Sequence, residues 1–143
     1  QTDLQLMIYS LIEILHTNHC SCVVGNGTEV RMFYNRGVKD LYTLYTTTPS
    51  LLNGALVADK VVGRAAAALM VLGGVKRVYA DTISALALEI FAQRDICVEY
   101  GNLVPHIINR SHSDMCPMER ATAHLTDLDD IFAAIDSFVK SLA

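Results

Sequence analysis

The stretch Val57–Gly74, VADKVVGRAAAALMVLGG, carries its only charges on Asp59, Lys60 and Arg64, and after them has only small or apolar residues. A run that is apolar on every side predicts a helix covered over most of its surface, with Asp59 as N-cap and Gly73-Gly74 as the stop. On that reading Lys60 and Arg64 share one helical face at i and i+4. They also stand at the helix end whose dipole and unpaired N–H groups favour an anion, so cations there are misplaced for stability alone. Either they are solvated side chains at a helix start or they face a bound anion.

Outward from this helix the chain alternates between elements. Leu4, Ile8, Leu11, Ile12 and Leu15 repeat at helical spacing and predict a first helix with one core-facing stripe. CSCVV and TEVRMFY flank GNG, whose Asn26-Gly27 suits a tight turn, so they predict an antiparallel hairpin. Gly37 to Thr47 predicts a short helix ending before Pro49. VKRVYA reads as a strand leading into the helix DTISALALEIFAQRD, capped by Asp81 or Ser84, and ICVEY reads as the next strand, burying Cys97. A strand, a helix and a strand this close predict parallel pairing through a right-handed crossover. GNLVPHIINRSHSDMCPMER reads as mostly irregular. Leu128, Ile131, Phe132, Ile135, Phe138, Val139 and Leu142 then define a last amphipathic helix, with Asp129 and Asp130 in its first turn and Lys140 in its last. The order predicts an α/β fold, a three-layer α/β/α sandwich with a mixed sheet, as one domain over residues 1–143.

Composition narrows the function classes. A chain of 143 residues buries about two-thirds of its unfolded surface on folding, so its core needs neither disulfide nor metal. Apolar residues make up 52% and charged residues 18%, with a net charge of −4, which excludes disorder and a generic hold on nucleic acid. The apolar excess points to a homo-oligomer. Cys20, Cys22, Cys97 and Cys116 form no CxxC pair, and Cys20 and Cys22 are too close along one strand for a relaxed disulfide; free thiols predict the cytoplasm. The N-terminal stretch has no basic segment or small-residue cleavage site of a signal peptide. The longest apolar run, Ala65 to Val75, is short of the roughly 20 residues that cross a bilayer, so no membrane span is expected. No Gly-rich dinucleotide fingerprint, P-loop or nucleophile elbow is present.

A hairpin, a buried helix, a strand, a helix and a parallel strand are similar to the cytidine deaminase-like fold. Zinc deaminases begin the first of the two central helices with His-x-Glu or Cys-x-Glu and the second with Pro-Cys-x-x-Cys, which hold the metal and its general acid/base. At the corresponding places this chain reads ADKVVG, Ala58 to Gly63, and ADTIS, Ala80 to Ser84, without histidine or cysteine. RGVK (Arg36–Lys39), ADKVVGRAAA (Ala58–Ala67), LGGVKRVYADTIS (Leu72–Ser84), VEYGNLVPHIINR (Val98–Arg110) and CPMER (Cys116–Arg120) resemble more closely a bacterial family, a domain of unknown function placed among deaminase-like folds. The resemblance runs from about Leu15 to Arg120. It implies a fold and a site location, without zinc ligands and without an established reaction.

The expected site gathers around the two helix starts. Asp59, Lys60, Arg64, Asp81 and Ser84, with Arg36 and Asn109 from the resembling segments, are expected to bind a small anionic or nucleotide-like ligand. Pro117 at a first helical position puts Cys116 and Glu119 at a third helix start, which explains CPMER by capping alone. A thiol there also has its thiolate favoured by the helix dipole, so Cys116, Glu119 and Lys60 are the residues expected to carry any chemistry. His106, His112 and Cys116 fit no standard zinc spacing, and neither metal nor cofactor is expected. Whether the site is catalytic stays open. The alternative is a non-catalytic, self-associating interaction module on the same scaffold.

Overall fold

The computed structural model describes residues 3–92 and 94–142, without the side chains of Leu4 and Leu6. The side chain of Leu4 in the predicted core stripe and Gln93 of the predicted helix DTISALALEIFAQRD therefore lie outside the described residues.

The first helix, α1 (Asp3–Thr17), turns Ile8, Leu11 and Leu15 inward, as the spacing predicts. The hairpin follows as β1 (Cys22–Asn26) and β2 (Glu29–Phe33), joined through Gly27 and Thr28, with Gly27 at φ 60° in the left-handed region the turn requires. α2 (Lys39–Thr47) is followed after Thr48 by a single turn, α3 (Pro49–Leu52), that the sequence did not announce.

The opening stretch then divides. Leu56–Val62 is a strand, β3, and only Arg64–Gly73 is helical, as α4, with Gly63 as its N-cap. Asp59 and Lys60 are strand residues, Asp59 caps no helix, and Lys60 and Arg64 share no helical face. The cause is burial on both sides: Leu56 and Ala58 belong to one core and Val57 and Val62 to the other, so β3 has no polar alternation to mark it. The predicted stop is present, since Gly74 at φ 86° donates its N–H to the carbonyls of Met70 and Val71.

β4 (Arg77–Ser84) runs past Asp81, so Asp81 caps nothing; Ser84 Oγ caps α5 (Ala85–Phe91) by accepting the Ala87 N–H at 3.0 Å. β5 (Cys97–Val104) extends four residues beyond Tyr100. α6 (Pro117–Thr122) begins at the expected proline, and α7 (Leu128–Ser141) carries Asp129, Asp130 and Lys140 at the ends that suit its dipole. The N-cap of α7 is Asp127, which accepts the N–H groups of Asp129 and Asp130.

The five strands form one mixed sheet in the order β2-β1-β3-β4-β5, with β1 antiparallel to both neighbours and β3, β4 and β5 parallel. α1 packs on one face through Val23, Leu56 and Ala58. α4 lies on the other, its row Ala65–Ala68 buried, with α2, α5, α6 and α7 around it. Small side chains let α4 approach its neighbours closely; a Cβ at Gly73 would stand 2.8 Å from Leu52. Phe132 of α7 stacks on Tyr42 of α2 at 6.0 Å and meets Tyr45 edge-on. The result is an α/β fold with helices on both faces of a mixed sheet. Among the described residues no helix is long and apolar enough to cross a membrane.

Candidate functional site

The strand and helix ends that matter meet at the carboxyl edge of β3 and β4. Both strands change there: Val57 pairs with Val78 and both join the α4-side core, yet so do Val62 and Ile83, one residue out of alternation, while Val61 is exposed. The slip occurs across Lys60 and Asp81, just before each strand gives way to a helix.

Asp59 pairs with Cys22 across β1 and β3 and is 7% exposed. Burial pushes its carboxyl up to about 7, with the charge of Asp81 adding to the rise, while hydrogen bonds from the Val61 and Lys60 N–H groups and the Cys22 thiol oppose it. The Val61 N–H reaches Oδ1 at 3.3 Å. Cys22 is driven well above its ordinary value by burial first and the Asp59 charge second. A second carboxylic acid acts on the same thiol: Asp40 of α2 accepts from Asn35 through Oδ1, and its buried Oδ2 has no partner among the described residues. Two carboxyls thus act on one buried thiol, and neither has an ion-pair partner among the described residues. Cys22 and Asp40 were not anticipated, because a cross-strand pairing leaves no mark in local spacing.

At the rim, Lys60 is exposed and its ammonium has no partner among the described residues. Its backbone N–H donates to Ser21 O at 2.9 Å, and Ser21 N–H donates to Phe33 O at 2.8 Å, so the loop carrying exposed Arg36 leaves β2 on the same edge.

Arg64 and Glu119 are internal ties. Arg64 is 3% exposed; its guanidinium donates to Leu125 O, Leu86 O and Glu89 Oε1 at 2.7–3.1 Å. Glu119, buried, accepts the Arg64 N–H at 2.7 Å and the Ile107 N–H at 2.9 Å. The first turn of α4 therefore already holds an anion, contributed by α6. The expected anion-facing wall of Lys60, Arg64 and helical N–H groups does not form.

Asp81 belongs to the other face of the sheet, where Oδ1 takes the Tyr79 hydroxyl and His16 Nε2, each at 2.7 Å. Burial, then the bond to Asp81, pushes the Tyr79 phenol up to about 12. His16 is exposed and ties α1 to β4. Cys116 precedes α6 half-buried against the core, and its N–H donates to Ile107 O at 2.8 Å. Asn109 organises its own loop, accepting from Ser111 Oγ and the Ser113 N–H. Cys97 is exposed: it opens an edge strand, which has only one neighbour to cover it.

Two depressions lie away from this edge. One open depression of about 410 Å³ is lined by Leu72, Arg94 and Asp127, and another of about 300 Å³ by Asn26, Arg31 and Asn53. No three His, Cys, Asp or Glu side chains among the described residues stand together as a metal site.

The geometry has counterparts. No curated protein matches the chain. The crystal structure of TM1506 from Thermotoga maritima, a DUF1893 family protein, matches with a TM-score of 0.85 at 24% identity, covering 96% of this chain and 92% of that one, and shows the same fold. The model of TM1506, described as a domain of unknown function (DUF1893), matches residues 10–139, and on that match the chain belongs to this family.

Proposed function

We propose that the domain binds a small polar ligand at the carboxyl edge of β3 and β4, on a cytidine deaminase-like scaffold that works without zinc. The observation that carries this reading is Asp59: a buried carboxyl without an ion-pair partner among the described residues, three residues before the carboxyl end of β3, the end beyond which ligands settle in open α/β sheets. Such a group exchanges its proton near neutral pH and is suited to meet a donor or basic nitrogen on the ligand. Lys60 and Arg36 at the rim supply free cations for an anionic group on the same molecule. A nucleotide-like compound has both features. Asp59 is better placed for proton exchange than Cys116 or Glu119, because both Glu119 oxygens already serve backbone N–H groups.

Zinc has no ligands at the helix starts, where the chain places Gly63-Arg64 and Ser84-Ala85. The four free thiols support a cytoplasmic setting.

Thermal-shift measurements against nucleosides, nucleotides and small phosphorylated metabolites test the reading. A ligand that raises the Tm of the wild type, and whose effect is lost in both Asp59→Asn and Lys60→Ala, supports it. Absence of any shift, or a shift unchanged in both variants, overturns it. Stoichiometric zinc retained after dialysis of untagged protein overturns the zinc-free part.

A further inference from the structure

Strand β2 is an open edge of the sheet, and its apolar side chains are unusual for one. Val30 is 44% exposed, Met32 46% and Tyr34 60%. Met32 pairs with Val23, which α1 covers, and Val30 pairs with Gly25, which Leu11 of α1 approaches, so Val30 and Met32 lie on the α1 side of the sheet, beyond the helix. The edge has no proline and no lysine, its two charged residues Glu29 and Arg31 pair with each other at 2.7 Å, and its one inter-strand carbonyl bond outside the regular ladder, Ser21 N–H to Phe33 O, points inward.

That inward bond fixes which backbone groups face out. Phe33 directs its carbonyl to β1, so by alternation Arg31 and Glu29 do the same, and the N–H and C=O groups of Val30 and Met32 face the open edge. We infer that a second copy of this chain pairs there, β2 against β2 in antiparallel register about a two-fold axis through Met32, making one ten-stranded sheet from two five-stranded ones.

The register follows from charge and bonding. Only residues with outward-facing groups can form the bonded pairs, which leaves axes at Val30, Arg31, Met32 or Phe33; an axis at Val30 sets Met32 against Thr28 in the second copy's hairpin turn and leaves the apolar row unmatched. An axis at Arg31 sets Arg31 opposite the second copy's Arg31, a like-charge pair. An axis at Phe33 sets Val30 opposite the second copy's Arg36 and so breaks the apolar row that an axis at Met32 keeps together. An axis at Met32 sets Met32 against the second copy's Met32, Val30 against its Tyr34, and Arg31 against the ring of its Phe33. The apolar row then lies in the trough between the two α1 helices, covered from both sides.

Sedimentation or light scattering should give twice the 15.7 kDa chain mass for the wild type at high micromolar concentration. Met32→Glu places two carboxylates face to face on the axis and should raise the dissociation constant about a hundredfold. Met32→Lys should do the same, and an equimolar mixture of the two variants should recover the dimer, since opposite charges then meet. Amide exchange of Val30 and Met32 in the wild type should slow with rising protein concentration, a readout that needs no variant. A monomeric wild type overturns the inference, as does a dimer that persists in Met32→Glu, a mixture that stays monomeric, or exchange at Val30 and Met32 that ignores concentration.

Discussion

The carboxylate of Glu119 accepts the backbone N–H of Arg64 at 2.7 Å across a separation of 55 residues, and so closes the first turn of α4 from another helix. Gly63, the N-cap, brings no side chain of its own, and a Cβ there would lie 3.0 Å from Glu119 Oε1. A buried carboxylate at a helix N-terminus satisfies unpaired N–H groups and meets the positive end of the dipole. Glu119→Ala leaves the Arg64 and Ile107 N–H groups buried without partners and should cost about 3 kcal/mol, read as a fall in the urea midpoint. Glu119→Gln keeps acceptor and shape and should cost less than half as much.

Arg64 makes the complementary tie from its side chain. Its guanidinium joins the Leu125 and Leu86 carbonyls to Glu89, bridging α5 and the segment between α6 and α7. Lysine offers one point of charge where the fork reaches three acceptors. Arg64→Lys should therefore destabilise by about 2 kcal/mol, and Arg64→Ala by about 3–4 kcal/mol. Chemical denaturation of both variants measures the difference. Equal stability of Arg64→Ala and wild type would show that the buried fork contributes nothing net.

Where the sequence was legible, a local rule had only one partner to satisfy. Asn26-Gly27 located the hairpin, Gly74 ended α4, and the stripe from Leu128 to Leu142 marked α7. β3 was missed because Leu56–Val62 is buried on both faces and runs into α4 with only Gly63 between them, so its pattern is indistinguishable from that of a covered helix. Reading the whole stretch as a helix places Asp59 at an N-cap and Lys60 on one face with Arg64, neither of which the strand allows. Cys97 was misjudged because strand composition does not reveal an edge position. Glu119 was placed correctly in the first turn of α6, but its carboxylate serves α4, and His16 meets Asp81 from 65 residues away; neither contact has a local signature.

Thiol accessibility follows the corrected positions. Cys97 is exposed, Cys116 is half-buried, and Cys20 and Cys22 are buried. Only the thiolate attacks an alkylating reagent, and Cys22 is held protonated by burial and by Asp59. Iodoacetamide under native conditions should label Cys97 first, Cys116 more slowly, and Cys22 only as the domain unfolds. Mass spectrometry of timed quenches gives the order. Cys116 ahead of Cys97 would mean that the start of α6 activates its thiol strongly enough to outweigh its partial burial.

Asp59 sets a pH dependence whose sign is opposite to that of most carboxylates. Its carboxyl titrates at about 7 in the folded chain, against about 3.9 when unfolded. Between those values the folded state binds more protons than the unfolded one, so stability falls as pH rises through that window and levels off above it. The groups around it cannot reverse the sign: Cys22 and Val61 donate to it, Asp81 repels its charge, and Asp40 adds a further carboxylate beyond Cys22. The loss from pH 5 to pH 8 attributable to this residue is on the order of 2–3 kcal/mol. Asp59→Asn keeps the shape and cannot ionise, so its unfolding free energy should change less across the same range and exceed that of the wild type at pH 8. At pH 5, where the wild-type carboxyl is already neutral, the two should lie close together. Urea unfolding at pH 5, 6, 7 and 8 checks this directly, and parallel curves for the two proteins would place the Asp59 proton outside that window.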